Sequence, residues 1–233
     1  MLAPGLQKPH PPLKILLGSD YHGQPHLLRQ ALEWLPQCDG YINCGDFCSQ
    51  AGRQSKRHGA LGYYPKAQPE VELLHRFWAD VDLLGKPWIF VPGNHDPSPP
   101  ALELMAGSHG IVATGSRLVS FLGLWALLIP YTPPCGWNWT LRTAHLREWV
   151  PFYGELAQQV KIDLLVSHAP PKGILDEGSR WYPRRMPTLR PLVDAIQPRY
   201  YICGHMHKDG GKQFTHQNTT FINVAERNWI LSS

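Results

Sequence analysis

The sequence lacks a disulfide framework. Its five cysteines, Cys38, Cys44, Cys48, Cys135 and Cys203, are odd in number and show no paired spacing. Cys44 and Cys48 have a zinc-like separation, but no second thiolate pair accompanies them, which argues against a zinc knuckle. Cys44 and Cys203 lie in strand-like runs and read as buried thiols of a reducing compartment. The segment Met1–Pro12 has prolines and one lysine but no apolar centre, so it does not read as a signal peptide. No run is long enough to span a bilayer. The most apolar, Leu118–Tyr131, is interrupted by Ser120 and Gly123 and reads as two strands joined near Gly123. A strongly basic tail is missing too. A net charge of +4 and a pI near 8.8 suit a phosphate-bearing substrate and fall short of a nucleic-acid tail.

No repeat, low-complexity tract or linker divides the 233 residues. The expectation is a single domain over residues 1–233 with a flexible stretch at 1–12, cytoplasmic and with no membrane partner. The sequence does not fix an oligomeric state. With 43% hydrophobic residues the chain can bury a substantial core. Its 23 prolines gather in loops and point to stiff, shaped connections.

Alternation of apolar runs and periodic segments gives the elements. Strands are expected at Lys14–Gly18, Gly40–Gly45, Lys86–Val91, Asp163–Val166 and Tyr200–Cys203. Two or three more are expected within Gly110–Pro130, and a hairpin over Gln213–Val224 turning at Gln217–Thr219. Helices are expected at Pro25–Leu35, Pro69–Leu84, Pro100–Ala106 and Thr188–Ile196, with Pro191 in the first turn of the last. Thr140–Val160 reads as helical but broken near Pro151. Residues 50–68 and 172–187 read as long polar loops.

Five apolar runs end in chemistry-bearing residues. The first ends in Gly18-Ser19-Asp20-Tyr21-His22-Gly23, the second in Cys44-Gly45-Asp46. The third, Trp88–Val91, ends in Pro92-Gly93-Asn94-His95-Asp96. The others end in Ser167-His168-Ala169-Pro170-Pro171 and Gly204-His205-Met206-His207. Strand ends of α/β sheets are where ligand sites collect. Asn94 offers a neutral amide oxygen to a cation, His95 can carry a proton at neutral pH, and Asp96 can hold that imidazole in one orientation.

In this order the set resembles the calcineurin-like metallophosphoesterase superfamily, over about Leu13 to Asn223, and most of all its small single-domain phosphoesterases. The resemblance implies an α/β fold, a four-layer α/β/β/α sandwich of two mixed sheets flanked by helices. It implies two divalent metal ions bridged by Asp46, with Asp20, His22 and His207 completing one site and Asn94, His168 and His205 the other. Imidazole-plus-carboxylate ligands suit manganese, iron or zinc better than magnesium or calcium. The implied chemistry is hydrolysis by a metal-bridging hydroxide, with His95, steadied by Asp96, protonating the leaving oxygen.

Departures narrow the substrate. Protein Ser/Thr phosphatases place an arginine where this chain has Pro92, and purple acid phosphatases place a tyrosine where it has Ser49. Tyr21 is bulkier than the residue often found there and is expected to narrow one side of the pocket. The two long loops mix cations and rings. Arg53, Arg57, Tyr64, Arg180 and Trp181 are candidates for substrate binding, since guanidinium groups pair with phosphate and rings stack on bases. The expected substrate is a small phosphate ester, a phosphodiester or nucleotide above others, with nucleic acid less favoured. The alternatives are a nuclease or RNA-processing phosphoesterase, and a non-catalytic interaction module on the same fold.

Overall fold

A computed structural model describes residues 12–53, 61–105, 107–135, 138–177 and 186–232. The N-terminal stretch before residue 12, and Arg57, Arg180 and Trp181 of the two long loops, lie outside these.

In chain order the first half alternates strand and helix: β1 (Lys14–Ser19), α1 (Pro25–Trp34), β2 (Gly40–Asn43), α2 (Gln68–Leu83), β3 (Trp88–Phe90), α3 (Pro99–Leu102) and β4 (Gly110–Val112). The second half runs β5 (Arg117–Phe121), β6 (Leu124–Ile129), α4 (Thr143–Leu156), β7 (Leu164–Ser167), α5 (Arg190–Ile196), β8 (Tyr200–Cys203), β9 (Lys212–His216), β10 (Thr219–Asn223) and β11 (Arg227–Ser232).

The strands form two mixed sheets, ordered β11-β1-β2-β3-β4 and β5-β6-β7-β8-β10-β9. Each is parallel at its centre and closed by antiparallel strands at an edge. Strand alternation sorts side chains into layers. Ile15, Leu17, Ile42 and Ile89 of the first sheet meet Ala126, Leu128, Leu164, Val166 and Ile202 of the second. The opposite faces carry Leu16, Tyr41, Trp88 and Phe90 onto α1 and α2, and Leu127, Leu165, Tyr201 and Phe221 onto α4 and α5. This is the expected helix–sheet–sheet–helix sandwich.

Three local expectations are corrected. Helix α4 passes through Pro151 without a break. Pro151 and Arg147, whose carbonyl loses its partner, are both exposed, so water can satisfy that carbonyl. The last strand, β11, was not expected, yet it pairs along all of β1 from Lys14↔Ser232 to Ser19↔Arg227. Tyr21 does not narrow a pocket. It is fully buried against Phe47 and Phe77, and its hydroxyl bonds to Tyr41 and Asn228.

Candidate metal centre

The parallel strands of both sheets deliver their carboxyl ends to one rim. β1 ends at Asp20, β2 leads to Asp46, β3 to Asn94 and His95, β7 to His168 and β8 to His205. Main-chain bonds lash these ends together: Asp20 N–H to Gly45 O, His22 N–H to Asp46 O, Val91 N–H to Asn43 O and Gly204 N–H to His168 O. The backbone is strained where the ligating candidates sit. Asp20, His22, Asp46 and His205 have φ of 55°, 45°, 51° and 66°, a left-handed region that non-glycine residues seldom occupy. Close approach also fixes two glycines. A Cβ on Gly93 would run into the Asp46 carboxylate and the His168 ring, and one on Gly204 into Ser19 and Asp20.

Two clusters result, Asp20 with His22 and His207, and Asp46 with His168 and His205. Within each, ligand atoms lie inside 4.8 Å of one another. Asp46 Oδ2 is 3.1 Å from His168 Nε2 and 3.9 Å from His95 Nε2, and Asp46 Oδ1 accepts the His95 amide at 2.8 Å. His205 Nδ1 lies 3.2 Å from His168 Nε2, so two ring nitrogens converge beside one carboxylate. His207 Nε2 lies 3.1 Å from Asp20 Oδ1. Six of the seven expected ligands fall in these two clusters, and the seventh, Asn94, follows β3 beside His95.

Their outer atoms are held by groups that sequence patterns do not reveal. His22 Nδ1 faces the Cys48 carbonyl at 3.1 Å, His168 Nδ1 the Cys44 carbonyl at 2.8 Å and His95 Nδ1 the Ser49 carbonyl at 2.6 Å. Ser19 Oγ donates to Asp20 Oδ2 at 2.6 Å. Main-chain carbonyls leave no side-chain signature, and Ser19 reads only as a residue next to a motif.

One expected contact is replaced. Asp96 does not use its carboxylate to steady His95. Oδ2 accepts the amides of Asp46 and Gly93, and Oδ1 that of Cys48, at 2.7–3.0 Å. Asp96 is fully buried and knits the β2 and β3 loops together, while the Ser49 carbonyl holds the imidazole. Of the substrate candidates that are described, Arg53 is exposed and stacks over Tyr64, 5.5 Å from the ring centroid. Their segment is tied to the rim, because Gly52 N–H donates to His95 O.

The electrostatics describe a crowded anionic pocket. Burial would raise Asp20 and Asp46, but His168 and neighbouring groups outweigh it and hold both below the usual carboxylate range. Burial lowers His168, yet Asp46 and Asp20 pull it up to about 9. Burial and the His168 charge push His205 down to about 4. Burial and Asp46 lift Asp96 to about 7, against the amides that favour its anion. Burial also drives the Cys48 thiol well up, so it is no thiolate nucleophile.

These residues fit metal ions. Asn94 Oδ1 is buried with no hydrogen-bond partner among the described residues, a costly state unless a cation takes the lone pairs. Two carboxylates and four imidazoles aim ring and oxygen atoms at common points, and the mixed N/O donor set is one that transition metals accept.

The sequence and the fold both have counterparts among known proteins. A family model described as calcineurin-like phosphoesterase matches residues 13–209. A UPF0046 protein of Caenorhabditis elegans is 38% identical over 89 residues, 34% of this chain and 29% of that one. A lariat debranching enzyme of Entamoeba histolytica is 26% identical over 186 residues, 66% of this chain and 52% of that one. The chain thus spans about half or less of these relatives. A solved structure, TT1561 of Thermus thermophilus, superposes with a TM-score of 0.58 at 15% identity, covering 92% of this chain and 89% of that one.

Proposed function

This chain belongs to the calcineurin-like phosphoesterase family, and we propose that it hydrolyses a small phosphodiester or nucleotide at a centre of two divalent metal ions. The observation that carries the reading is the pair of clusters on one rim with the buried, unsatisfied Asn94 Oδ1 beside them. In this reading Asp46 would serve both ions, Asp20, His22 and His207 would hold one, and Asn94, His168 and His205 would hold the other. Manganese, iron or zinc fits the donors. When bound, the ions supply charge neutralisation at the phosphoryl oxygens and a water of lowered pKa.

The protein's own residues do the rest. His95 is partly exposed to the rim, and its Nδ1–H is donated to the Ser49 carbonyl. That leaves Nε2 to carry the proton given to the leaving oxygen. Arg53 over Tyr64 gives the rim a cation and a ring for the remote part of a substrate. The lariat debranching enzyme among the relatives is compatible with a diester. The described residues contain no helix long and apolar enough to cross a membrane, and the buried thiols suit a reducing cytoplasm.

The test is activity profiling of the manganese-loaded protein on nitrophenyl mono- and diesters, cyclic nucleotides, dinucleotides and short RNA. Diester hydrolysis abolished by a chelator and restored by manganese is expected. Hydrolysis of RNA alone, with salt-sensitive binding, would favour the nuclease reading. Binding without hydrolysis of any ester, with manganese, iron or zinc, would favour a non-catalytic module.

A further inference from the structure

We propose that Glu226 is a positioning residue for the outer metal position, strengthening it through His207, and that this more exposed position is the weaker and more exchangeable of the two. The inference rests on the two-cation reading given above.

The two clusters differ in their shielding. His168 and Asp46 are buried, whereas the side chain of His207 is 43% exposed. Within the outer cluster His207 is also held unlike the other rings of the rim. His22, His95 and His168 each turn Nδ1 to a main-chain carbonyl, which the fold fixes. His207 instead turns Nδ1 to a carboxylate, Glu226 Oε1, at 3.2 Å. Its Nε2 meets a second carboxylate, Asp20 Oδ1, at 3.1 Å. A neutral imidazole has one N–H. If Nδ1–H is donated to Glu226, the Nε2 lone pair points at Asp20, and only a cation or a second proton reconciles the two. Glu226 thereby selects the tautomer that ligates through Nε2. A carboxylate behind a histidine also raises its basicity.

The backbone of Glu226 supports the assignment. It lies in the short turn between β10 and β11, with φ of 53°. Its amide donates to Ser19 O, the residue before Asp20, and Ala225 bridges Ser19. So one residue is tied by its main chain to the strand end that carries Asp20, and by its side chain to His207. Glycine or asparagine would hold this left-handed conformation more easily. The side chain itself is 43% exposed, and an exposed pair adds little to folding. A strained glutamate that contributes little to the fold points to a role at the site.

The experiment is manganese titration of the full chain, followed by calorimetry and by the paramagnetic resonance of free ion. Wild type should take up two equivalents, one tighter than the other. Glu226→Gly should keep the tight equivalent and bind the other roughly 10–100-fold more weakly. Its metal-free melting temperature should stay at or above that of wild type. Glu226→Gln keeps an acceptor but no charge and should show a smaller loss. In a His207→Ala background neither change should have further effect, because Glu226 acts only through that ring. Wild-type affinity for both equivalents in both variants would overturn the inference alone. So would an equal loss of both ions. A wild-type protein that binds no manganese would overturn the two-cation reading itself, and the inference with it.

Discussion

His95 separates a general acid from a mere phosphate ligand. Its Nδ1 is committed to Ser49 O, its Nε2 stands 3.9 Å from Asp46 Oδ2, and its side chain is partly exposed. A nitrophenolate leaves readily without a proton, whereas a nucleoside alkoxide needs one. His95→Asn should therefore slow hydrolysis of an alkyl or nucleoside ester by about 10²–10⁴-fold and that of a nitrophenyl ester far less. Parallel kinetics on the two ester types, with metal analysis, check this. Equal losses on both would make His95 a phosphate ligand. Asp96 behaves differently, because its carboxylate is spent on main-chain amides. Asp96→Ala strands three buried N–H donors, each worth about 1–3 kcal/mol when left unsatisfied. Denaturant unfolding should show a loss of several kcal/mol, and the leaving-group preference should stay as in wild type. A stable variant with altered leaving-group preference would restore the orienting role.

Among the elements, α2 is fastened to the first sheet through Asp82. Its carboxylate accepts from Trp88 Nε1, the Ser108 amide and hydroxyl, and the His109 amide, all at 2.9–3.0 Å. Burial would raise its pKa, but these hydrogen bonds win and hold it at about 2, against 3.8 for an unhindered aspartate. The group is depressed in the folded state, so its contribution is fully present above about pH 4. It is lost as the pH falls through about 2. Asp82→Asn should cost about 1–2 kcal/mol at neutral pH, since Asp82 is half-buried and solvent screens part of its charge. Urea unfolding from pH 7 down to pH 2 should show the wild-type and variant stabilities converging. A difference that stays constant with pH would mean packing, not the carboxylate, matters there. The elements were also unequally legible in the sequence. Gly18–His22, Cys44–Asp46 and Pro92–Asp96 stand out because an apolar run stops abruptly in polar residues. β11 does not, because Arg227-Asn228-Trp229-Ile230 is only partly buried and its partner β1 lies more than two hundred residues earlier. Pro151 reads as a breaker because a local pattern cannot tell that its lost hydrogen bond falls on the solvent side of α4.

Across the whole molecule, the site exists only because two sheets bring their strand ends together. Asp20, Asp46 and Asn94 come from the first sheet, and His168 and His205 from the second, so no half of the chain could assemble it. The residue types were readable because Asp, Asn and His recur where apolar runs end. Their supports were not, since Ser49 O, Cys44 O and Cys48 O are main-chain atoms and Glu226 sits in a turn far from any motif. The roles of the rim residues stand or fall with the bridge. Asp46 faces His168 and His95 with one oxygen and accepts an amide with the other, and it is the carboxylate assigned to both ions. The decisive measurement is metal content per chain after manganese loading and dialysis, in wild type, His207→Ala and Asp46→Ala. Two ions in wild type, one in His207→Ala and none in Asp46→Ala are expected. An Asp46→Ala protein that still holds two ions would contradict the account.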